Sequence, residues 1–220
     1  MNRTLLSFIV SVFSLTSLLS FASAATPVAS YSFDEGSGTT ISDRSGNGNT
    51  GSLVNSPAWG TGKYGGSLTF NGSSGHVSSG DMSTLDGLTR VSISAWVKTT
   101  ATGEKHIIDK SNCNGVTNGG PFELGTSLFT SGKAAFVIYK NGGNPAYSYA
   151  ESAVSVTDGN WHYITGVYNG TDIQVYVDGA LSGQTPLSGV TLSSTSNSLE
   201  IGGNCNSYPY IWNGSIDDVR

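Results

Sequence analysis

The 220-residue chain carries ten Lys and Arg against fifteen Asp and Glu, a net charge of −5, and only 11% of its residues are charged. Its basic residues are scattered, which argues against nucleic acid as a partner, because that binding rests on Lys and Arg neutralising phosphates. Thirty glycines and a low charge content describe a turn-rich β protein rather than a helical one.

The chain opens with Met1-Asn2-Arg3, a short basic start, followed by an apolar run from Leu5 to Phe21. Ala22-Ser23-Ala24 then supplies small residues of the kind a signal peptidase reads, so residues 1–24 are expected to be a secretory signal. The competing reading is a membrane anchor, but the run is short and Ser-rich for a bilayer span of about 20 apolar residues. No later segment is apolar enough to span a bilayer. Residues 25–220 are expected to form one exported, extracellular domain, a length that can bury its own core.

Strand signals follow in order. They cover Pro27–Phe33, Ser67–Phe70, Val91–Lys98, His106–Lys110, Ala134–Tyr139, Tyr147–Ala150, Trp161–Tyr168, Ile173–Val177, Leu199–Gly202 and Gly214–Val219. Turn pairs punctuate them: Asn71-Gly72, Asn141-Gly142, Asp158-Gly159, Asn169-Gly170 and Asp178-Gly179. The pattern predicts an all-β fold, a sandwich or a jelly roll. In the hairpin around Asn169-Gly170, an even loop puts Ile164, Tyr168, Ile173, Val175 and Val177 on one apolar face. Trp161, Tyr163, Thr165, Val167, Gln174 and Tyr176 then share the other, and a one-residue slip would exchange the two. That second face is either covered by another layer or lines a groove where Tyr176 and Gln174 meet a sugar. Trp96 and Trp161 sit in regular strands and are expected in the core.

Cys113 and Cys205 lie in Asn/Gly-rich loops. In an exported chain they are expected to pair. The bridge would close a loop of roughly 90 residues and contribute ~3–5 kcal/mol in the chain-entropy account. It would also stiffen the loop carrying Tyr208 and Tyr210, whose rings are candidates to stack on a ligand with little entropy lost.

Several segments resemble laminin-G-like jelly rolls of the concanavalin A-like lectin/glucanase superfamily. They are YSFDEGSGTTISDRSGNGNTGSL (Tyr31–Leu53), GGSLTFNGSSGHV (Gly65–Val77), VSISAWVK (Val91–Lys98), DGNWHYITGVYNGTDIQVYVDG (Asp158–Gly179) and IWNGSIDDVR (Ile211–Arg220). The resemblance implies an all-β, two-sheet antiparallel jelly-roll sandwich, a fold that hosts lectins, binding modules, glycosidases, lyases and adhesion domains alike. It also implies that the first and last strands pair, and that the last strand is cut short at Arg220, with further domains following in a longer chain. Such pairing would bring Asp217 near Asp34 and Asp43. Asp34, Asp43, Asn47 and Asp217 offer the hard oxygen ligands that suit a structural Ca²⁺. The plainer alternative is that Asp34 and Asp43 only cap turns.

Catalytic motifs are scarce. The chain has no G-x-S-x-G, H-E-x-x-H or phosphate loop. It also lacks the close run of acidic residues with which glycosidases of this fold flank a bond. Glu35, Glu104, Glu123, Glu151 and Glu200 stand isolated along the chain, and so do His76, His106 and His162. A lyase would need Lys98, His106, Lys110 and Tyr139 to meet across one sheet. The sequence thus points to a secreted, non-catalytic carbohydrate-binding or adhesion module, stabilised by calcium, with a glycan or cell-surface polysaccharide as partner. The alternative is a polysaccharide-degrading enzyme, a glycosidase or lyase, on the same fold.

Overall fold

The computed structural model describes residues 26–111, 119–142, 146–204 and 210–220. The signal segment 1–24, the cysteines Cys113 and Cys205, and Tyr208 lie outside the described residues.

Within those residues the chain forms β1 (Thr40–Ile41), β2 (Gly51–Val54), β3 (Ala58–Thr61), β4 (Gly66–Asn71), β5 (His76–Ser78), β6 (Val91–Lys98), β7 (Lys105–Lys110) and β8 (Phe122–Thr126). It continues through β9 (Lys133–Tyr139), β10 (Tyr147–Ser155), β11 (Trp161–Tyr168), β12 (Asp172–Val177), β13 (Ala180–Pro186), β14 (Glu200–Ile201) and β15 (Asn213–Asp217). One 3₁₀ turn occupies Ser83–Leu85. The strands make two antiparallel sheets, as the jelly-roll reading expects. The eight-stranded sheet runs β1-β2-β5-β14-β7-β8-β9-β10, and the seven-stranded sheet runs β13-β12-β11-β6-β15-β4-β3. Among the described residues, no helix is long and apolar enough to cross a membrane.

Alternation along each strand builds the core. Val77, Ile201, Ile108, Leu124 and Phe136 follow one another across the eight-stranded sheet in register, and all are buried. Leu68, Ala95, Val97, Ile164, Val175 and Ile216 face them from the other sheet. The sheets approach closely enough that a Cβ at Gly166 would overlap the Phe136 ring. The predicted hairpin faces hold. Tyr168 pairs with Ile173 and Ile164 with Val177, so Ile164, Tyr168, Ile173 and Val175 are buried while Trp161, Tyr163, Gln174 and Tyr176 are half-buried on the outer face. The next turn, Asp178-Gly179, has both residues at positive φ (52° and 82°), the geometry whose twist matches a two-residue hairpin.

Two expectations need correction. Trp96 and Trp161 are not core: Ala95 and Val97 take the inward positions of β6, so Trp96 packs outside against Tyr64 and Tyr163, and Trp161 is half-buried on the outer side of β11, where Ile164 and Tyr168 point inward. Pro27–Phe33 is not a strand either. Only Tyr31 bridges, to Val219, because Phe33 turns the chain away with φ of 52°. That bridge still joins the first and last segments.

Candidate functional site

The outer face of the eight-stranded sheet carries an unusual row. Register places Ser78, Glu200, Asp109, Glu123, Val137 and Tyr149 side by side across β5, β14, β7, β8, β9 and β10. Directly opposed residues share a face, so three carboxylates line one stripe. A register shift between His106 and Ile108 tucks Ile107 and Ile108 both inward. The bulge therefore puts residues three apart, His106 and Asp109, on the same outer face.

The result is a buried ionic knot. His106 Nδ1 lies 2.6 Å from Asp109 Oδ2, and its Nε2 lies 3.1 Å from Glu123 Oε1 and 3.4 Å from Glu104 Oε1. His106, Asp109 and Glu123 are buried, whereas Glu104 is partly exposed. The Tyr139 hydroxyl donates to Glu123 Oε2 at 3.0 Å. The Tyr210 ring stacks on His106 with centroids 5.1 Å apart and planes at 9°, and its carbonyl accepts the His106 backbone N–H. One position along the row, Glu200 Oε1 accepts the Ser78 hydroxyl, while Oε2 is buried without a hydrogen bond among the described residues, 3.5 Å from His76 Nε2.

These groups titrate far from their ordinary ranges. Burial alone would lower the His106 pKa, but Glu123, Asp109 and Glu104 outweigh it and hold the imidazolium well above its usual value. Burial raises Glu123 against the pull of His106. Burial pushes Glu200 up to about 7, the Ser78 hydrogen bond opposing and the Asp109 charge adding to the rise. Burial and the neighbouring Glu123 raise the Tyr139 phenol.

Beside the knot the face becomes aromatic and open. Tyr147 pairs with Tyr139, and the rings continue through Tyr147, Phe129 and Tyr149. These three are 42%, 42% and 37% exposed, enough to present ring faces to solvent. A separate cleft of about 650 Å³ between the sheets is lined mainly by apolar residues such as Leu85, Ile93, Phe122 and Val219, and lacks this mixture of open rings and carboxylates.

The sequence-predicted residues are dispersed. Tyr210 belongs to the eight-stranded face, at the knot. Tyr176 and Gln174 lie on the opposite side of the sandwich, where the Tyr176 hydroxyl donates to Gln174 Oε1 at 3.2 Å. They form no common site with Tyr210. The lyase grouping also falls apart: His106 and Tyr139 meet through Glu123, but Lys98 is on β6 of the other sheet. Lys110 is buried, 2.8 Å from Asp81 Oδ1 and 3.6 Å from Asp86 Oδ1. His162 joins two turns, with Asp178 at 2.8 Å and Asp158 at 3.1 Å.

Of the four metal candidates, Asp34 and Asp217 flank one loop. Asp34 Oδ1 accepts the Gly66 N–H and Asp217 Oδ2 the Tyr64 N–H. Asp217 is fully buried on the outer side of β15, its Oδ1 has no hydrogen-bond partner among the described residues, and burial raises its pKa. Phe33 and Asp218, the immediate neighbours of these two carboxylates, both hold φ near +50°. Each such residue stores about 1–3 kcal/mol of strain, and such strain clusters at ligand sites. Asp43 is the hub of a turn. Its oxygens accept from Ser30 N, Ser45 N, Ser45 Oγ and Asn49 N, while the Asn47 amide donates to the Pro27 and Val28 carbonyls.

Sequence reasoning missed Glu123, Asp109 and Glu200 as a set. Glu123 and Glu200 each sit in a short apolar–acid–apolar stretch (Phe122-Glu123-Leu124 and Leu199-Glu200-Ile201), the local sign of a strand whose outer face holds a carboxylate, whereas Asp109 lies between Ile108 and Lys110 and carries no such sign.

Comparison with known proteins agrees with this architecture. A laminin-G profile described as the concanavalin A-like lectin/glucanases superfamily matches residues 71–220. No curated protein sequence matches the chain. Among solved structures, similarity extends to domain 4 of AbnA, a GH43 extracellular arabinanase from Geobacillus stearothermophilus, in complex with arabinotriose. The TM-score is 0.66 at 18% identity, covering 88% of this chain and 90% of that one. The binding domain of Paraclostridial Mosquitocidal Protein 1 aligns with a TM-score of 0.63 at 14% identity, covering 87% of this chain and 47% of that one. The binding domain of Botulinum Neurotoxin DC in complex with SialylT aligns with a TM-score of 0.63 at 15% identity, covering 88% and 47%. This chain thus spans about half the length of the two toxin binding domains.

Proposed function

The chain belongs to the concanavalin A-like lectin/glucanases superfamily, and on that premise we propose that it is an exported, non-catalytic module that binds glycans on the outer face of its eight-stranded sheet. The observation that carries this reading is the open line of Tyr147, Phe129 and Tyr149 rings running into buried carboxylates on one face. A pyranose or furanose ring presents an apolar C–H face and a hydroxyl edge. Aromatic faces stack on the first, and carboxylates such as Glu104 accept hydrogen bonds from the second. The arabinotriose and SialylT complexes of the structural neighbours support the same class of ligand.

Calcium belongs to this reading as a structural ion held by Asp34 and Asp217, with Asp43 and Asn47 shaping the adjoining turn. The buried, unpartnered Asp217 Oδ1 supports it, as a hard anionic oxygen without a donor. When bound, the ion would tie the first and last segments together.

The test is retention of the purified chain on a polysaccharide panel, with released ends assayed in the same samples. Retention without product is the expected result. The alternative, a polysaccharide-degrading enzyme, is favoured by one observation: Glu200 is a buried carboxyl with its pKa at about 7, suited to donating a proton. New reducing or unsaturated ends would establish that alternative and overturn the non-catalytic reading. Neither retention nor product would overturn both.

A further inference from the structure

We propose that Glu104, His106 and Glu123 form a site for a divalent transition-metal ion, zinc by preference, distinct from the calcium position at Asp34 and Asp217. The inference rests on the geometry of the knot and is independent of whether the face binds a glycan.

One ligand atom from each of the three residues lies within 4.8 Å of the other two. The spacing is tighter where it can be read directly, with Nε2 at 3.1 Å from Glu123 Oε1 and 3.4 Å from Glu104 Oε1. Zinc bonds of about 2.0–2.1 Å to nitrogen and oxygen set tetrahedral ligand atoms about 3.3 Å apart. The two separations at Nε2 are therefore already those of a coordination tetrahedron, and the two carboxylate oxygens lie within 4.8 Å of each other.

The surroundings are those a ligating histidine requires. Asp109 Oδ2 sits 2.6 Å from Nδ1, which keeps the proton on that nitrogen and leaves the Nε2 lone pair for the ion. Asp109 is itself anchored, since its Oδ1 accepts the Ser111 N–H. Tyr139 donates to Glu123 Oε2 and so turns Oε1 toward the imidazole. Tyr210 lies flat on the His106 ring and fixes its plane. On binding, the proton now shared by Nε2 with the carboxylates leaves to solvent, and the metal takes its place.

The ligand chemistry excludes calcium here. An imidazole nitrogen with two carboxylates suits borderline ions, whereas calcium takes six to eight oxygens. Three protein ligands leave a fourth position open, and partly exposed Glu104 marks the side from which it is reached.

The test uses the whole purified chain, stripped with chelator, titrated with Zn²⁺ by calorimetry and with Co²⁺ by its visible ligand-field bands. One ion per chain is expected. Glu123→Gln and His106→Gln should abolish uptake, and Asp109→Asn should weaken it about 10–100-fold. Glu104→Gln removes a ligand from a partly exposed position, so it tests the site even if the buried variants do not fold. It should weaken Zn²⁺ and alter the Co²⁺ bands, while Asp217→Asn leaves both unchanged. No Zn²⁺ or Co²⁺ uptake by the unaltered chain, or uptake indifferent to Glu104→Gln and Glu123→Gln, overturns the proposal.

Discussion

The outer faces of the two sheets are both aromatic, yet their polar groups are in opposite conditions. On the seven-stranded face the rings satisfy one another. Trp96 packs against Tyr64 and Tyr163, Lys63 Nζ sits 4.9 Å over the Trp96 ring, and the Tyr163 hydroxyl donates to Ser94 Oγ. On the eight-stranded face the rings of Tyr147 and Tyr149 stay open, while Asp109, Glu123 and Glu200 are buried beside His106. Removing a carboxylate from water costs several kcal/mol, and its ion pair only partly offsets that. Aromatic content therefore does not separate the faces, but the clustering of buried charge does: three carboxylates and an imidazole gather on the eight-stranded face, whereas Asp217 is the one carboxyl buried on the seven-stranded face among the described residues.

The strongest way to break this contrast is His106→Ala. It leaves Asp109 and Glu123 buried without their imidazolium, so it should lower unfolding stability by about 3–5 kcal/mol in denaturant titration. A loss no greater than that of a surface substitution would erase the distinction between the faces.

Next in size is the pH dependence. Glu200 has its folded pKa at about 7 against an ordinary 4.5. Between those values the folded state holds a proton that the unfolded state has released, so stability is full below pH 4.5 and declines as pH rises through 7. The raised His106 pKa has the same sign and extends the decline above 6.5. The lowered carboxylates Asp158 and Asp172 have the opposite sign and act only in acid, and His76, lowered by burial, also opposes the trend as pH falls below 6.5, one imidazole against the raised Glu200 and His106. The melting temperature should therefore be higher at pH 5 than at pH 8. Glu200→Gln should flatten the slope and melt above the unaltered chain at pH 8, by at most about 3 kcal/mol. An unchanged slope removes Glu200 from the account.

Calcium sharpens the comparison from the other side, because Asp217 lies on the seven-stranded face. At a hundredfold excess over its dissociation constant, calcium should add about 2.7 kcal/mol to stability. That gain should vanish in Asp217→Asn and persist in Asp43→Asn, whose oxygens already hold local donors. A chelator-treated chain that neither takes up calcium nor melts higher with it ends the idea.

Smaller effects follow. Tyr149→Ala should weaken retention on a bound polysaccharide about tenfold, or about 1.4 kcal/mol, with Tyr176→Ala as the matched control on the opposite face. Equal losses in both would move the binding face. Tyr163→Phe should cost only about 0.5–1.5 kcal/mol in stability, the worth of one hydrogen bond.

Most of the fold was legible because alternation reports directly on which side of a strand is buried. Trp161–Tyr168 and Ile173–Val177 display both faces in order, and the Asn169-Gly170 loop fixes their register. Trp96 misled because a tryptophan amid apolar neighbours reads as core, although parity with Ala95 and Val97 puts it outside. The acidic stripe was hidden for a different reason. Glu123 and Glu200 are 77 positions apart in the sequence. Only the insertion of β14 between β5 and β7 brings Glu200 beside Asp109. Local pattern carries strand identity but not strand order. Tyr210 was singled out for its loop, and its contact with His106 depends on the same long-range pairing.

That late insertion also dictates when the molecule can exist. β14 completes one sheet between strands made at least ninety positions earlier, and β15 does the same between β4 and β6 in the other. Tyr64 and Asp217, joined by a hydrogen bond, are 153 positions apart. A chain delivered N-terminus first therefore holds two unfinished sheets with exposed edges until β14 and β15 emerge. Such non-local topologies fold slowly, in milliseconds to seconds. Acquisition of the acidic stripe should thus be an all-or-none event that waits for β14, and a chain stopped before residue 200 should have neither the stripe nor a closed core.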